Sequence, residues 1–144
     1  MMKTIHKISL QTSASAEVIW QLWKNAQEWP SWDTELEWVT INGPFTEGQT
    51  GKLKPKGAPV SPFKITKCIR NKQFTDVASL PFSRLIFDHY LTVNNDKTIV
   101  THQILIDGPF SWIFLKLLGP KLIIGLDQAL PQLVKMAENN ETEG

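Results

Sequence analysis

Several kinds of chemistry are missing from this 144-residue chain. It has a single cysteine, Cys68, so no internal disulfide can form; that usage fits a reducing compartment, and the expected location is cytoplasmic. With no adjacent base, and placed in an alternating strand, Cys68 reads as inert. The N-terminus carries Lys3, His6 and Lys7 with no continuous apolar run, so no signal peptide is expected. The most apolar stretch, Phe110–Leu118, is too short and too broken up by Lys116 and Lys121 to span a bilayer. Charge of one sign is also lacking. The net charge is +1 and the lysines are scattered, which argues against a nucleic-acid footprint. Lys52, Lys54 and Lys56 do alternate, but on one short strand that reads as a solvated edge. There is no G-x-S-x-G elbow, no P-loop and no G-x-G-x-x-G. No carboxylate or cysteine stands at clear metal-ligand spacing, and neither a metal nor a cofactor is expected.

What remains is an ordinary folded composition, 42% hydrophobic and 20% charged, in a length that suits one domain. Four of the six tryptophans, Trp20, Trp23, Trp29 and Trp32, crowd into residues 14–33. Ser13 or Ser15 can cap a helix there, Glu17 suits its first turn, and Val18, Ile19, Leu22 and Trp23 form an apolar stripe. Pro30 ends the run, because the residue before a proline is pushed out of the helical region. Trp29 and Trp32 are expected to anchor these helices rather than touch a ligand. Asp33, Glu35 and Glu37 follow, and a solvated surface is their favoured reading.

Alternating apolar and polar residues predict strands at 4–12, 35–42, 49–55, 61–69, 72–79, 84–93 and 98–106. Turn signals separate them: Asn42-Gly43-Pro44, Lys56-Gly57-Ala58-Pro59, Leu80-Pro81-Phe82, and the hairpin Asn94-Asn95-Asp96-Lys97. A last helix occupies roughly 110–138, broken or kinked at Gly119-Pro120, and only the tail from Glu138 looks frayed. Its second part is amphipathic, with Leu122, Leu126, Leu130, Leu133 and Val134 on one face. His6, His89 and His102 each fall on the apolar face of their strand. The 94–97 hairpin sets His89 directly opposite His102, with Cβ atoms about 4.5–5.5 Å apart. Buried histidines satisfied by hydrogen bonds or water are the favoured reading; a ligand-head, acid/base or metal cluster competes with it. Arg84 and Asp88 lie on the other face and are expected to point to water.

The chain resembles the SRPBCC superfamily of START-like helix-grip proteins, in its polyketide cyclase/dehydrase and lipid-transport branch. The residues that carry the likeness are Ala14-Ser15-Ala16-Glu17 with Ile19-Trp20, then Trp29-Pro30-Ser31-Trp32-Asp33. Asn42-Gly43-Pro44-Phe45 with Gly48 and Gly51 follow, and Asp107-Gly108-Pro109 precedes the last helix. The resemblance implies an α+β fold over 1–144: a curved seven-stranded antiparallel sheet gripping a long C-terminal helix, with two short helices after the first strand.

Such a sheet cannot meet its helix along the whole length, so a ligand cavity is expected. Its predicted lining from the sheet is His6, Phe63, Ile65, Phe74, Phe87, His89, Leu91, Val100, His102 and Ile104. The helix would add Trp112, Leu122 and Leu126. The leading functional reading is a carrier or sensor that binds a hydrophobic small molecule: a lipid, isoprenoid, polyketide or aromatic metabolite. One alternative is a cyclase/dehydratase-like lyase using cavity histidines for acid/base steps. Another is an interaction module that docks through the apolar segment 110–118, which is also the expected gate of the cavity. A monomer or weak dimer is expected, and transient membrane contact stays open.

Overall fold

The computed structural model describes residues 2–143. Alternation and turn chemistry produce seven strands: β1 (Lys3–Thr12), β2 (Leu36–Ile41), β3 (Thr50–Pro55), β4 (Ser61–Ile69), β5 (Gln73–Leu80), β6 (Ser83–Asn94) and β7 (Lys97–Asp107). Between β1 and β2 lie helix α1 (Ala16–Lys24) and a 3₁₀ helix (Ala26–Ser31); helix α2 (Ser111–Glu143) follows β7. The strands form one antiparallel sheet in the order β1-β7-β6-β5-β4-β3-β2. β3 therefore lies inside the sheet, and Lys52, Lys54 and Lys56 do not mark an edge as expected. The edges are β1 and β2.

Local chemistry accounts for each junction. Ser15 caps α1, its hydroxyl accepting from the Val18 N–H at 3.3 Å. Asn95 and Asp96 both take positive φ, the requirement of a two-residue type I′ turn, and so set the β6–β7 register. Register shifts at Thr4/His6, Leu36/Trp38 and Ile65/Lys67 bend the sheet. At Gly51 a Cβ would meet the Thr40 carbonyl and the Phe63 ring at 2.3 and 2.6 Å, so only glycine lets Phe63 lie across β3.

Helix α2 differs from expectation at two places. It runs through Pro120 and Pro131 without a break. Its C-terminal end does not fray at Glu138 but continues to Glu143, where Thr12 donates to Glu138 at 2.7 Å and the Ser15 hydroxyl to Glu141 at 3.3 Å. These bonds tie the helix end to the start of α1.

The largest cluster of buried side chains joins three layers: Trp20, Trp23, Trp29 and Trp32 from the short helices, Phe63, Phe74 and Val100 from the sheet, and Leu130 and Leu133 from α2. Trp23 stands at its centre, edge-on to Phe74 at 5.4 Å and against both His89 and His102 at 5.8 Å. Trp23→Ala should destabilise the domain by about 3–5 kcal/mol, a large share of ordinary domain stability. Urea unfolding checks this, and a loss under about 1 kcal/mol would contradict the central place given to this ring.

Candidate functional site

Register places the concave face of the sheet in rows. One row runs Cys68, Phe74, His89, His102, Ile8 from β4 to β1; the next runs Ile65, Asp76, Phe87, Ile104, His6; a third holds Phe63, Ala78, Leu85 and Ile106. The first row lies towards the end of the sheet that carries α1. The third lies towards the opposite end, where the β3–β4 and β5–β6 turns and the β7–α2 junction come together.

At the α1 end the interior is filled by rings. Phe74 stacks flat on His89 at 3.9 Å, and His89 meets His102 edge-on at 4.8 Å. Trp32 covers His102 at 5.9 Å, while Trp29 lies over both Phe63 and Phe74 at 5.7 Å. Burial holds His89 down at about pKa 4, although the Phe74 carbonyl at 3.3 Å offers its Nδ1 a partner. Burial and the neighbouring His89 push His102 well below the usual range. Both imidazoles are neutral at pH 7, and among the described residues the His102 Nε2 has no hydrogen-bond partner.

At the other end the helix does not seal the sheet. Ala129, Leu130, Leu133 and Ala137 of the C-terminal half of α2 are buried. The inward stripe of the N-terminal half, Phe114, Leu118, Leu122 and Leu126, stays partly exposed although it packs on Ala78, Leu85, Ile104 and Ile106. Phe87 stays partly exposed too, on an interior strand and on the covered face. Solvent reaches Phe87, while Ala78, Leu85, Ile104 and Ile106 around it are buried. A tether fixes the N-terminal half of the helix: Lys121 donates to the Lys56 carbonyl at 2.8 Å. On the opposite margin His6 Nε2 sits 2.7 Å from Asp127 Oδ1.

The mouth of this crevice carries exposed apolar rings, beside a charged pair that alternation places on the outer face of the sheet. Phe82 is 72% exposed, takes φ +54° at the β5–β6 turn, and meets Phe110 at 5.1 Å. Gly108, at φ +117°, lets the β7–α2 junction approach that turn; a Cβ there would lie 2.5 Å from the Phe82 carbonyl oxygen. Phe82, Ser83, Arg84, Asp107 and Gly108 line a surface cleft of about 230 Å³, across which Arg84 pairs with Asp107 at 3.1 Å.

The expected site residues divide between the two ends. Ile65, Phe74, Val100 and His102 lie in the ring-filled part of the interior with little or no exposure; Phe63, in the third row, joins them under Trp29, and His89 and Leu91 adjoin them partly exposed. Phe87, Ile104, Leu122 and Leu126 meet in the open end. His89 and His102 are the cross-strand pair that the hairpin implied. His6 does not join them, its ring being engaged by Asp127. Trp112 is not in the interior: it is 65% exposed, because it stands about 200° around the helix from the inward Phe114.

Of the three acids after the 3₁₀ helix, only Glu37 is exposed, and it pairs with Lys54 at 2.7 Å. Asp33 is partly buried rather than fully solvated as expected; burial pushes its carboxyl up to about 6 while it accepts from the Glu35 N–H. Asp88 accepts from Gln73 and Thr75 at 2.8 Å each on the outer face of the sheet. The Cys68 thiol is pushed up by burial, in line with an unreactive cysteine.

Sequence reasoning missed Asp76. It shares the concave face with Phe74 and Ala78, is 3% exposed, and burial pushes its carboxyl up to about 8. The signal was present: an acid two residues from Phe74 on an alternating strand must face the same way. Among the described residues no group of three histidines, cysteines or acids is placed to hold a metal ion.

No known protein family and no curated protein matches the chain by sequence. Solved structures match it in shape. Norcoclaurine synthase from Thalictrum flavum, in complex with dopamine and hydroxybenzaldehyde, superposes with a TM-score of 0.73 at 14% identity, over 96% of this chain and 88% of that one. The di-domain ARO/CYC StfQ of the steffimycin biosynthetic pathway gives 0.78 at 11% identity; 97% of this chain is covered but only 52% of StfQ, about half its length. A START superfamily protein from Mycobacterium smegmatis gives 0.69 at 17% identity, covering 94% and 97% of the two chains. The chain has the START-like helix-grip fold that its sequence resemblance implied.

The pKa shifts give opposite stability slopes. His89 and His102 refuse protons that the unfolded chain accepts, so their contribution is lost as pH falls from about 6.5 towards 4. Asp76 keeps a proton that the unfolded chain releases, so its contribution is lost as pH rises from about 4 to about 8. Between pH 6.5 and 8 only the Asp76 slope remains among these three. Wild-type stability should fall with rising pH there and Asp76→Asn should be flat, as read by urea midpoints. Parallel curves would show that Asp76 is ionised in the fold.

Proposed function

We propose that this protein binds a hydrophobic small molecule, of the size of a lipid fragment, isoprenoid, polyketide or aromatic metabolite, between the sheet and the N-terminal half of α2, as a carrier or sensor. The observation that carries the reading is the partial exposure of Phe87, on an interior strand beneath the helix. Apolar walls with one or two polar groups suit an apolar ligand. The structural neighbours lend support, since one was crystallised with dopamine and hydroxybenzaldehyde and another is an ARO/CYC protein.

The ring packing speaks against acid/base catalysis by the histidines. His102 lies under Trp23 and Trp32, and its lowered pKa leaves it a poor proton carrier near neutrality. A docking role for 110–118 draws on Trp112 and Leu117, which are 65% and 69% exposed on the outer face of the helix. The two readings use opposite faces of one segment, so the inward stripe can be tested separately.

The neutral fluorescent ketone prodan should bind with a blue-shifted emission. Ala78→Phe, which fills the crevice floor at an overpacking cost of about 1–3 kcal/mol, should abolish that shift. Trp112→Ala should leave it unchanged. Prodan binding that depends on Trp112 and ignores Ala78→Phe would move the ligand to the outer face and overturn the proposal.

A further inference from the structure

The floor of the crevice holds one polar side chain whose presence packing does not explain. Asp76 lies on β5 between Phe74, which belongs to the ring-filled end, and Ala78, which belongs to the open end. Ile65 and Phe87 flank it across the sheet. Trp29 touches Phe63 and Phe74, which lie in the rows on either side of Asp76. The carboxyl thus stands where the filled interior gives way to the open one. Its own backbone N–H is its hydrogen-bond partner, and among the described residues no other side chain bonds or pairs with it.

A buried carboxyl with so little satisfaction is costly, and an apolar residue of similar size would suit these neighbours better. Among the described residues the surrounding charges offer it no cation. Asp88, on the outer face of β6, repels its ionised form. Around the crevice, His6 is engaged by Asp127, Lys121 by the Lys56 carbonyl, and Glu35 lies against Gly125 of α2. Kept protonated, the group is an O–H donor facing apolar walls.

We infer that Asp76 is the polar anchor of the crevice, where its carboxyl donates a hydrogen bond to a carbonyl or hydroxyl oxygen of an otherwise apolar, uncharged ligand. This rests on the crevice reading and adds the ligand's chemistry to it. An uncharged oxygen satisfies the donor without bringing an unpaired charge into the interior, whereas an anion would be repelled once the acid ionised. The anchor also sets direction: the oxygen points inward towards Trp29, and the apolar body lies along Phe87, Leu118 and Leu122 towards the mouth.

The test is calorimetric titration of wild type, Asp76→Leu and Asp76→Asn with 2-acetylnaphthalene, 2-ethylnaphthalene and 2-(2-aminoethyl)naphthalene. Circular dichroism confirms that each variant is folded. Wild type should prefer the ketone over the hydrocarbon by about tenfold, the worth of one buried hydrogen bond. Asp76→Leu should lose that preference while binding the hydrocarbon as wild type does. Asp76→Asn, which keeps an N–H donor, should retain part of the preference. Raising the pH from 6.5 to 9 should weaken ketone binding in wild type and leave Asp76→Asn unaffected. An unchanged ketone preference in Asp76→Leu would overturn the anchor and leave the crevice standing. Tightest binding of the amine would overturn the uncharged-oxygen assignment. Failure of wild type to bind any of the three would overturn the crevice and the anchor together.

Discussion

The tryptophan wedge is the constraint from which the rest of this structure follows. The indoles of α1 and the 3₁₀ helix fill the space between the sheet and the C-terminal half of α2. That half packs on the wedge as much as on the sheet. The helix is 33 residues long, about 50 Å, and it continues past the end of the wedge. Beyond that point no third layer fills the space. Four inward side chains from the helix and a few from the sheet have to close it, and they do so incompletely.

Two kinds of interior result within one fold. The ring-filled end is tightly packed and supplies stability, at the cost of leaving the indole N–H groups of Trp23 and Trp32 and one nitrogen of His102 without partners among the described residues. The open end has fewer buried contacts and more exposed apolar surface, the character expected of regions that open to admit ligands. Asp76 lies on the boundary. The tether from Lys121 to Lys56 holds the N-terminal half of α2, and the His6–Asp127 pair holds its middle.

How much of this could be read from the chain depended on the range of the physics involved. Strand positions were legible because side-chain alternation has a period of two and the turns carry Gly, Pro, Asn and Asp. The His89–His102 pair was legible because a two-residue hairpin sets its own register. The partition of the interior was not. Phe74 and Phe87 carry the same residue type on the same face, yet one is wholly buried and the other partly open. What separates them is the thickness of the layer above, which comes from residues some fifty positions away. The continuous path of α2 through Pro120 and Pro131 was hidden for a similar reason. Tertiary packing outweighs the lost backbone donors.

The claim that the open end, and not the ring-filled end or the outer surface, receives an apolar molecule can be tested by methyl NMR with saturating prodan. Intermolecular NOEs should reach Leu85, Ile104, Leu118 and Leu122, while the methyls of Ile19, Leu130 and Leu133 keep their shifts. NOEs confined to Leu117 and Ile124, or no NOEs at all with prodan in excess, would contradict the account.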